Sequence, residues 1–309
     1  MIIQTGNRTD IPAFYSEWFA NRLKEGFVFV RNPYNFQAVT RYELNPDVVD
    51  LIVFCSKNPS PMFPYMDLLK LYGQYWFVTI TPYGKDIEPN VPDKDFVMDA
   101  FCQLSDLVGI NRIVWRYDPI LINDFWTVDR HIDAFATMAG KLSGYTSTAV
   151  ISFIDLYDKV KRNYPEARSV SWEDQQILTN AFVEIGKEQG MTIKPCGESK
   201  ALEQFGADCS GCMTVETFEY ALGQNLSPPP NPNNRKECAC YLTGDIGTYN
   251  TCGHLCRYCY ANTERNIVLQ NMRMHDPNSP FLLGNSCPGD IVRQAKQVSW
   301  IDSQMRLDL

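Results

Sequence analysis

Six short apolar, β-branched runs separated by amphipathic stretches constrain this chain's fold more than any other feature. The runs lie at 1–5, 48–55, 76–81, 112–115, 148–154 and 191–194, with helical patterns near 14–25, 61–72, 95–108, 128–142 and 172–189. Near-continuous apolar strands need cover on both faces, and strands alternating with helices build a parallel sheet covered in that way. The pattern predicts an α/β fold, a complete or partial TIM-like (β/α) barrel rather than a flat doubly wound sheet. The helix after Ser171 is the best marked. Ser171 caps it, Asp174 follows three residues on, Ile177, Leu178, Ala181, Phe182 and Ile185 make one stripe, and Gly190 ends it. At 309 residues the chain can bury the core of one barrel-sized domain or two smaller ones.

Polar clusters follow the strand-like runs. They include Arg8 and Asp10 after the first, Lys57 after the second, Thr81 and then Glu88 after the third, Arg116 and Asp118 after the fourth, and Asp155 after the fifth. A barrel would gather them at one rim, where barrel active sites lie. Taken singly, each reads equally well as a cap or turn former. Arg8, Asp10, Lys57, Arg116 and Asp118 are the candidate catalytic set.

Eleven cysteines are present, eight of them between Cys196 and Cys259. A disulfide scaffold belongs to short secreted chains, whereas clustered cysteines in a reducing compartment favour metal ligation. Cys252, Cys256 and Cys259 stand at C-x3-C-x2-C spacing, with Tyr258 before the third and Tyr260-Ala261 after it. Three thiolates so spaced can hold three irons of a [4Fe-4S] cluster and leave the fourth open to a small molecule. The competing reading is a four-cysteine zinc ribbon that joins Cys256 and Cys259 to Cys238 and Cys240, or to Cys209 and Cys212; it leaves Cys252 unused. Cys196, Cys212, Cys238 and Cys240 are candidates for a second centre, either [4Fe-4S] or zinc, with Cys209 able to replace Cys212. Alternatively, they pack as small hydrophobes. His254, inside the loop, either hydrogen-bonds a sulfide or sits on the surface. His131 reads as structural.

The string from Tyr249 to Asn262, YNTCGHLCRYCYAN, resembles the cluster loop of the radical S-adenosylmethionine superfamily, above all its spore photoproduct lyase and DNA-repair photolyase-like branch. Ser56-Lys57-Asn58, Ile87-Glu88-Pro89 and Arg116-Tyr117-Asp118-Pro119-Ile120 are similar to barrel segments of that branch. The resemblance implies a [4Fe-4S] cluster on Cys252, Cys256 and Cys259, with S-adenosylmethionine bound to the open iron and Tyr258 beside its adenine. It further implies reductive cleavage to a 5′-deoxyadenosyl radical, and an electron donor such as flavodoxin or ferredoxin. In that superfamily the loop precedes the barrel strands; here it follows them, which implies a permuted or rebuilt barrel. The string Arg8-Thr9-Asp10-Ile11-Pro12-Ala13-Phe14, together with the cysteine tail, is similar over nearly the full length to a bacterial family known only as a domain of unknown function.

Residues 227–236, rich in Pro and Asn, read as a linker between a barrel-like domain at 1–226 and an iron–sulfur segment at 237–309 that packs on the barrel rim. No apolar run approaches the roughly 20 residues of a membrane span, and the N-terminal stretch is too short for a secretion signal, so the expected location is the cytoplasm. A net charge of −8 argues against a protein that coats nucleic acid, although a nucleic-acid substrate and a small-molecule one both stay open. The expectation is an iron–sulfur enzyme of the radical S-adenosylmethionine type. Its alternatives are an enzyme whose open iron acts as a Lewis acid, and a zinc- or cluster-bearing binding protein.

Overall fold

The computed structural model describes residues 1–230, 238, 240–241 and 244–302. Its strands are β1 (Ile2–Gln4), β2 (Phe27–Arg31), β3 (Ala38–Glu43), β4 (Leu51–Ser56), β5 (Gly73–Thr79), β6 (Ile113–Ile120), β7 (Thr148–Phe153), β8 (Thr192–Pro195), β9 (Gly244–Asp245) and β10 (Ile291–Gln294). The six runs expected from sequence are β1, β4, β5, β6, β7 and β8. With β9 they form a seven-stranded sheet in the order β8-β7-β6-β5-β4-β1-β9, parallel at every pair. From β1 through β8 each new strand of this sheet joins the same growing edge. The order therefore lacks the reversal of a doubly wound sheet, and right-handed crossovers carry the connecting helices to one face. Among the described residues no ladder joins β8 to β9. The fold is α/β with an open parallel sheet, so the complete, closed form of the expected barrel does not form.

Burial explains the strands. β4 reads Leu-Ile-Val-Phe-Cys-Ser and is buried everywhere but Cys55. Phe54 stacks on Trp76 at 3.9 Å and meets Phe19 of helix Ser16–Glu25 edge-on at 5.9 Å. A second stack runs from Trp115 to Phe135 at 4.6 Å and on to Phe182 at 4.0 Å, which ties β6 to helices Val128–Leu142 and Trp172–Gln189. Such rings carry the largest share of apolar burial in a core. Asp93, Thr127 and Ser171 each accept a backbone N–H at the start of helices Lys94–Val108, Val128–Leu142 and Trp172–Gln189.

Segment 61–72 departs from the helix expected there. It forms a 3-10 helix, Ser60–Tyr65, and then a single α-turn, Met66–Leu69. Pro64 removes a backbone donor inside the segment and keeps it from continuing as a regular helix. A smaller sheet, in the order β10-β3-β2, pairs β2 and β3 antiparallel and β10 parallel to β3. The cysteine-rich part is thus woven into both sheets, with β9 on β1 and β10 on β3. Of the expected linker, residues 231–236 lie outside the described residues; the Ser227 N–H donates to Trp300 O at 2.7 Å. Among the described residues no helix is long and apolar enough to cross a membrane.

Candidate functional site

The carboxyl ends of the parallel strands open onto one cavity of about 1690 Å³. Parallel α/β sheets collect their sites at this end, on loops held by a rigid scaffold. The volume exceeds the roughly 300–1,000 Å³ of common ligand pockets, so a cofactor and a substrate fit together. Arg8, Asp10, Lys57, Arg116 and Asp118 line it, as do Cys252, Cys256 and Cys259 on one wall and Cys196, Cys238 and Cys240 on another. Gly6 makes the first loop possible. A Cβ on it would lie 2.3 Å from Cys55 Cβ, so only glycine lets the chain after β1 pass β4 and turn into the cavity.

The C-x3-C-x2-C loop is tethered along its length. Tyr15 donates its hydroxyl to Thr251 O at 2.6 Å, Asn90 Nδ2 donates to Gly253 O at 2.7 Å, and the Arg257 N–H donates to Ile87 O at 3.0 Å. Asn262 Nδ2 closes the loop on Cys252 O at 2.9 Å. Asn250 and Leu255 take left-handed backbone angles, φ 59° and 57°, and for a leucine this is a strained conformation found where a site demands it. Burial pushes the Cys252, Cys256 and Cys259 thiols up, and mutual repulsion adds to this at Cys252. A bound cation is what would ionise such thiols. Their three sulfurs do not all lie within 4.8 Å of one another, as ligands of a single ion would. The Ala261 N–H donates to Cys259 Sγ at 3.4 Å, a contact that favours negative charge on the sulfur.

Glu88 is the hub beneath the loop. Its buried carboxylate accepts from Lys57 Nζ and Thr81 Oγ1, both at 2.7 Å, and from Lys94 Nζ and the Tyr258 hydroxyl. Burial alone would raise its pKa, but Lys57 and Lys94 outweigh that and bring it down to about 2. Asp10 is a junction rather than an open carboxylate. It caps helix Ile11–Phe14 through the Ala13 N–H at 3.0 Å, accepts the Lys57 N–H at 2.7 Å, and lies 2.9 Å from His254 Nε2. His254 is buried, and its Nδ1 has no hydrogen-bond partner. An orphaned buried nitrogen in the middle of the cysteine loop fits a group bound there that would supply the missing bond.

Arg116 pairs with Asp118 in the second half of β6. Burial opposes the guanidinium's charge, but Asp118 and Cys196 hold its pKa well above the ordinary value, and its buried Nε has no partner. Burial and Cys196 lift the Asp118 carboxyl in spite of Arg116. Arg8 Nε lies 4.0 Å from Asp245 Oδ1, and its guanidinium sits 5.5 Å from the Tyr249 ring, which Lys159 also approaches at 5.1 Å. Cys212 Sγ lies 3.4 Å from both Cys196 Sγ and Cys240 Sγ, and all three sulfurs fall within 4.8 Å of one another, a group that could hold a metal ion.

All five candidate catalytic residues, and both candidate cofactor residues, Tyr258 and His254, therefore meet at one cavity. Tyr258 lines it with its hydroxyl committed to Glu88. Cys209 and Cys212 are not in the lining of this cavity but line a smaller one beside it, together with Cys196, Cys238 and Cys240. Sequence reasoning left Lys94, Lys159, Tyr249 and Asp245 out of the site. Lys159 sits in the short helix Asp158–Asn163 and Asp245 in the two-residue strand β9, and neither carries a recognisable pattern.

A family model described as Domain of unknown function (DUF1848) matches residues 2–261. The chain belongs to that family. The DUF1848 match spans the whole seven-stranded sheet and ends just after the cysteine loop, leaving helix Arg265–Arg273 and β10 beyond it. No curated protein matches the chain.

Proposed function

We propose that this protein is an iron–sulfur enzyme in which Cys252, Cys256 and Cys259 hold a [4Fe-4S] cluster with one iron open to the cavity, and that it uses S-adenosylmethionine there. One observation carries the reading. Three thiols on a single tethered loop, Cys256 buried and Cys252 and Cys259 half-buried, face a large cavity ringed by charged residues at the strand ends. When bound, the cluster and S-adenosylmethionine supply a carbon-centred radical that abstracts a substrate hydrogen. The protein's own residues orient and shield. Glu88 fixes the Tyr258 side of the loop, Asp10 fixes the His254 side, and Lys57 sets positive charge beside Cys256 and Cys259. Arg8 and Lys159 frame Tyr249 at the mouth, where they can hold an anionic group of the substrate.

The unreversed strand order supports a partial barrel built on residues 1–226, to which the cysteine-rich part at 237–309 adds β9 as an edge strand. A cytoplasmic location and a low-potential donor such as flavodoxin or ferredoxin go with this chemistry. The net charge of −8 favours a small-molecule substrate over a nucleic acid.

Anaerobic purification with iron and sulfide analysis, followed by dithionite and S-adenosylmethionine, tests the proposal. The expected result is labile sulfide and release of 5′-deoxyadenosine. A cluster without that release, even with substrate candidates present, moves the open iron to a Lewis-acid role. Absence of iron and labile sulfide would remove both readings. Cys256→Ala should lose the cluster absorbance with the far-UV spectrum unchanged; if the absorbance survives, the ligands are wrongly assigned.

A further inference from the structure

We propose that Cys196, Cys212, Cys238 and Cys240 hold a single zinc ion that clasps together the two edges of the open sheet. Cys196 directly follows β8, one edge strand, and its N–H donates to Ile151 O of β7 at 2.9 Å, so the sheet itself fixes its position. Cys240 comes shortly before β9, the opposite edge strand, and the adjoining Tyr241 N–H donates to Met213 O at 2.7 Å. Among the described residues no strand ladder joins these edges, but sulfur atoms of the residues flanking them do meet.

The spacing selects an ion over a cluster. A tetrahedral zinc with Zn–S bonds of about 2.3 Å sets its sulfurs about 3.8 Å apart. Cys212 Sγ is 3.4 Å from Cys196 Sγ and from Cys240 Sγ, with the three sulfurs inside 4.8 Å. Cys238 is a thiol neighbour of Cys240 that lies outside the 4.8 Å group of the other three, and we take it as the fourth ligand, drawn in when the ion binds. Each thiolate of a [4Fe-4S] cluster binds a different iron, so its sulfurs stand apart by the width of the cube. Four thiolates on a divalent ion leave net negative charge. Arg116 lies against Cys196 and Cys212, and Lys194 Nζ donates to Gly211 O at 3.2 Å, so two cations border the site. Closed all-sulfur tetrahedral coordination is the mark of a structural zinc site.

The test uses the full chain, purified anaerobically, with zinc, iron and labile sulfide measured together. The variant Cys252→Ser/Cys256→Ser/Cys259→Ser should retain one zinc per chain and no labile sulfide. The variant Cys212→Ser/Cys240→Ser should lose that zinc. No metal in the loop variant overturns the zinc site without touching the cluster proposal, whereas iron with labile sulfide there overturns the zinc site and assigns a cluster to these four cysteines. Loss of iron from the native protein with zinc intact does the reverse. Cobalt substitution covers the case in which a variant fails to fold. Cobalt in the native chain should give the intense thiolate charge-transfer band of four-sulfur coordination, weakened in Cys238→Ser and unchanged in Cys209→Ser. A spectrum without that band, or one weakened by Cys209→Ser instead, refutes the ligand set.

Discussion

Glu88 carries more of the site than any other single residue, because one buried carboxylate answers two lysines, a threonine and the tyrosine of the cysteine loop. Removing one member of a buried ionic set leaves the others uncompensated, at a cost of about 3 kcal/mol. Glu88→Ala should lower stability by about that much in urea unfolding and should also loosen the loop through Tyr258. A loss below about 1 kcal/mol would mean that water already serves the two lysines. At this scale the cysteines were legible, since ligand spacing is local and written in consecutive positions. Glu88 was visible as a polar residue after a strand and within a segment of family resemblance, but not as the partner of two lysines and a tyrosine. Lys94 and Lys159 were not visible at all, because a lysine in a helix looks the same whether it faces solvent or a cavity.

Elements dock through specific polar contacts as well as apolar ones. Helix Val128–Leu142 is locked to the end of β6 by His131, whose ring nitrogens lie 2.8 Å from the Tyr117 hydroxyl and 2.8 Å from Leu121 O. Burial lowers the imidazole to about 4, well under its ordinary value. The unfolded chain therefore binds a proton between about 6.5 and 4 that the folded one refuses, so stability falls as pH drops through that window, by up to about 3 kcal/mol. The pH dependence of unfolding should flatten across this range in His131→Gln, and an unchanged slope would sink the assignment. Strands buried on both faces, such as β4, and helices with a clear cap, such as the one after Ser171, were readable from sequence. The hairpin β2–β3 is half exposed and so lacks the continuous burial of the central strands, and β9, at two residues, is too short to read. Segment 61–72 misled because its apolar spacing is helical while Pro64 denies it a regular helix.

At the scale of the molecule, seven parallel strands hold two groups of cysteines around one cavity, with one group on residues that flank the two edge strands. A metal clasp at that seam predicts a regional response. Stripping the metal with a chelator should raise amide hydrogen exchange in β8, β9 and the segment around Cys212, while β4 to β6 in the middle of the sheet stay protected. Uniform exchange before and after chelation would show that the seam holds without metal.

The amino-acid sequence alone determined the α/β class, the six strands, the run of polar residues at their ends and the three-cysteine loop. Each of these depends on periodicity or spacing within a few residues. Tertiary structure alone decided that the sheet stays open, that β9 crosses back to lie beside β1, and that Cys212 comes within 3.4 Å of Cys196 and Cys240. It also decided that the two sulfur groups differ in spread. These are matters of distance between residues far apart in the chain, and only packing brings such residues together.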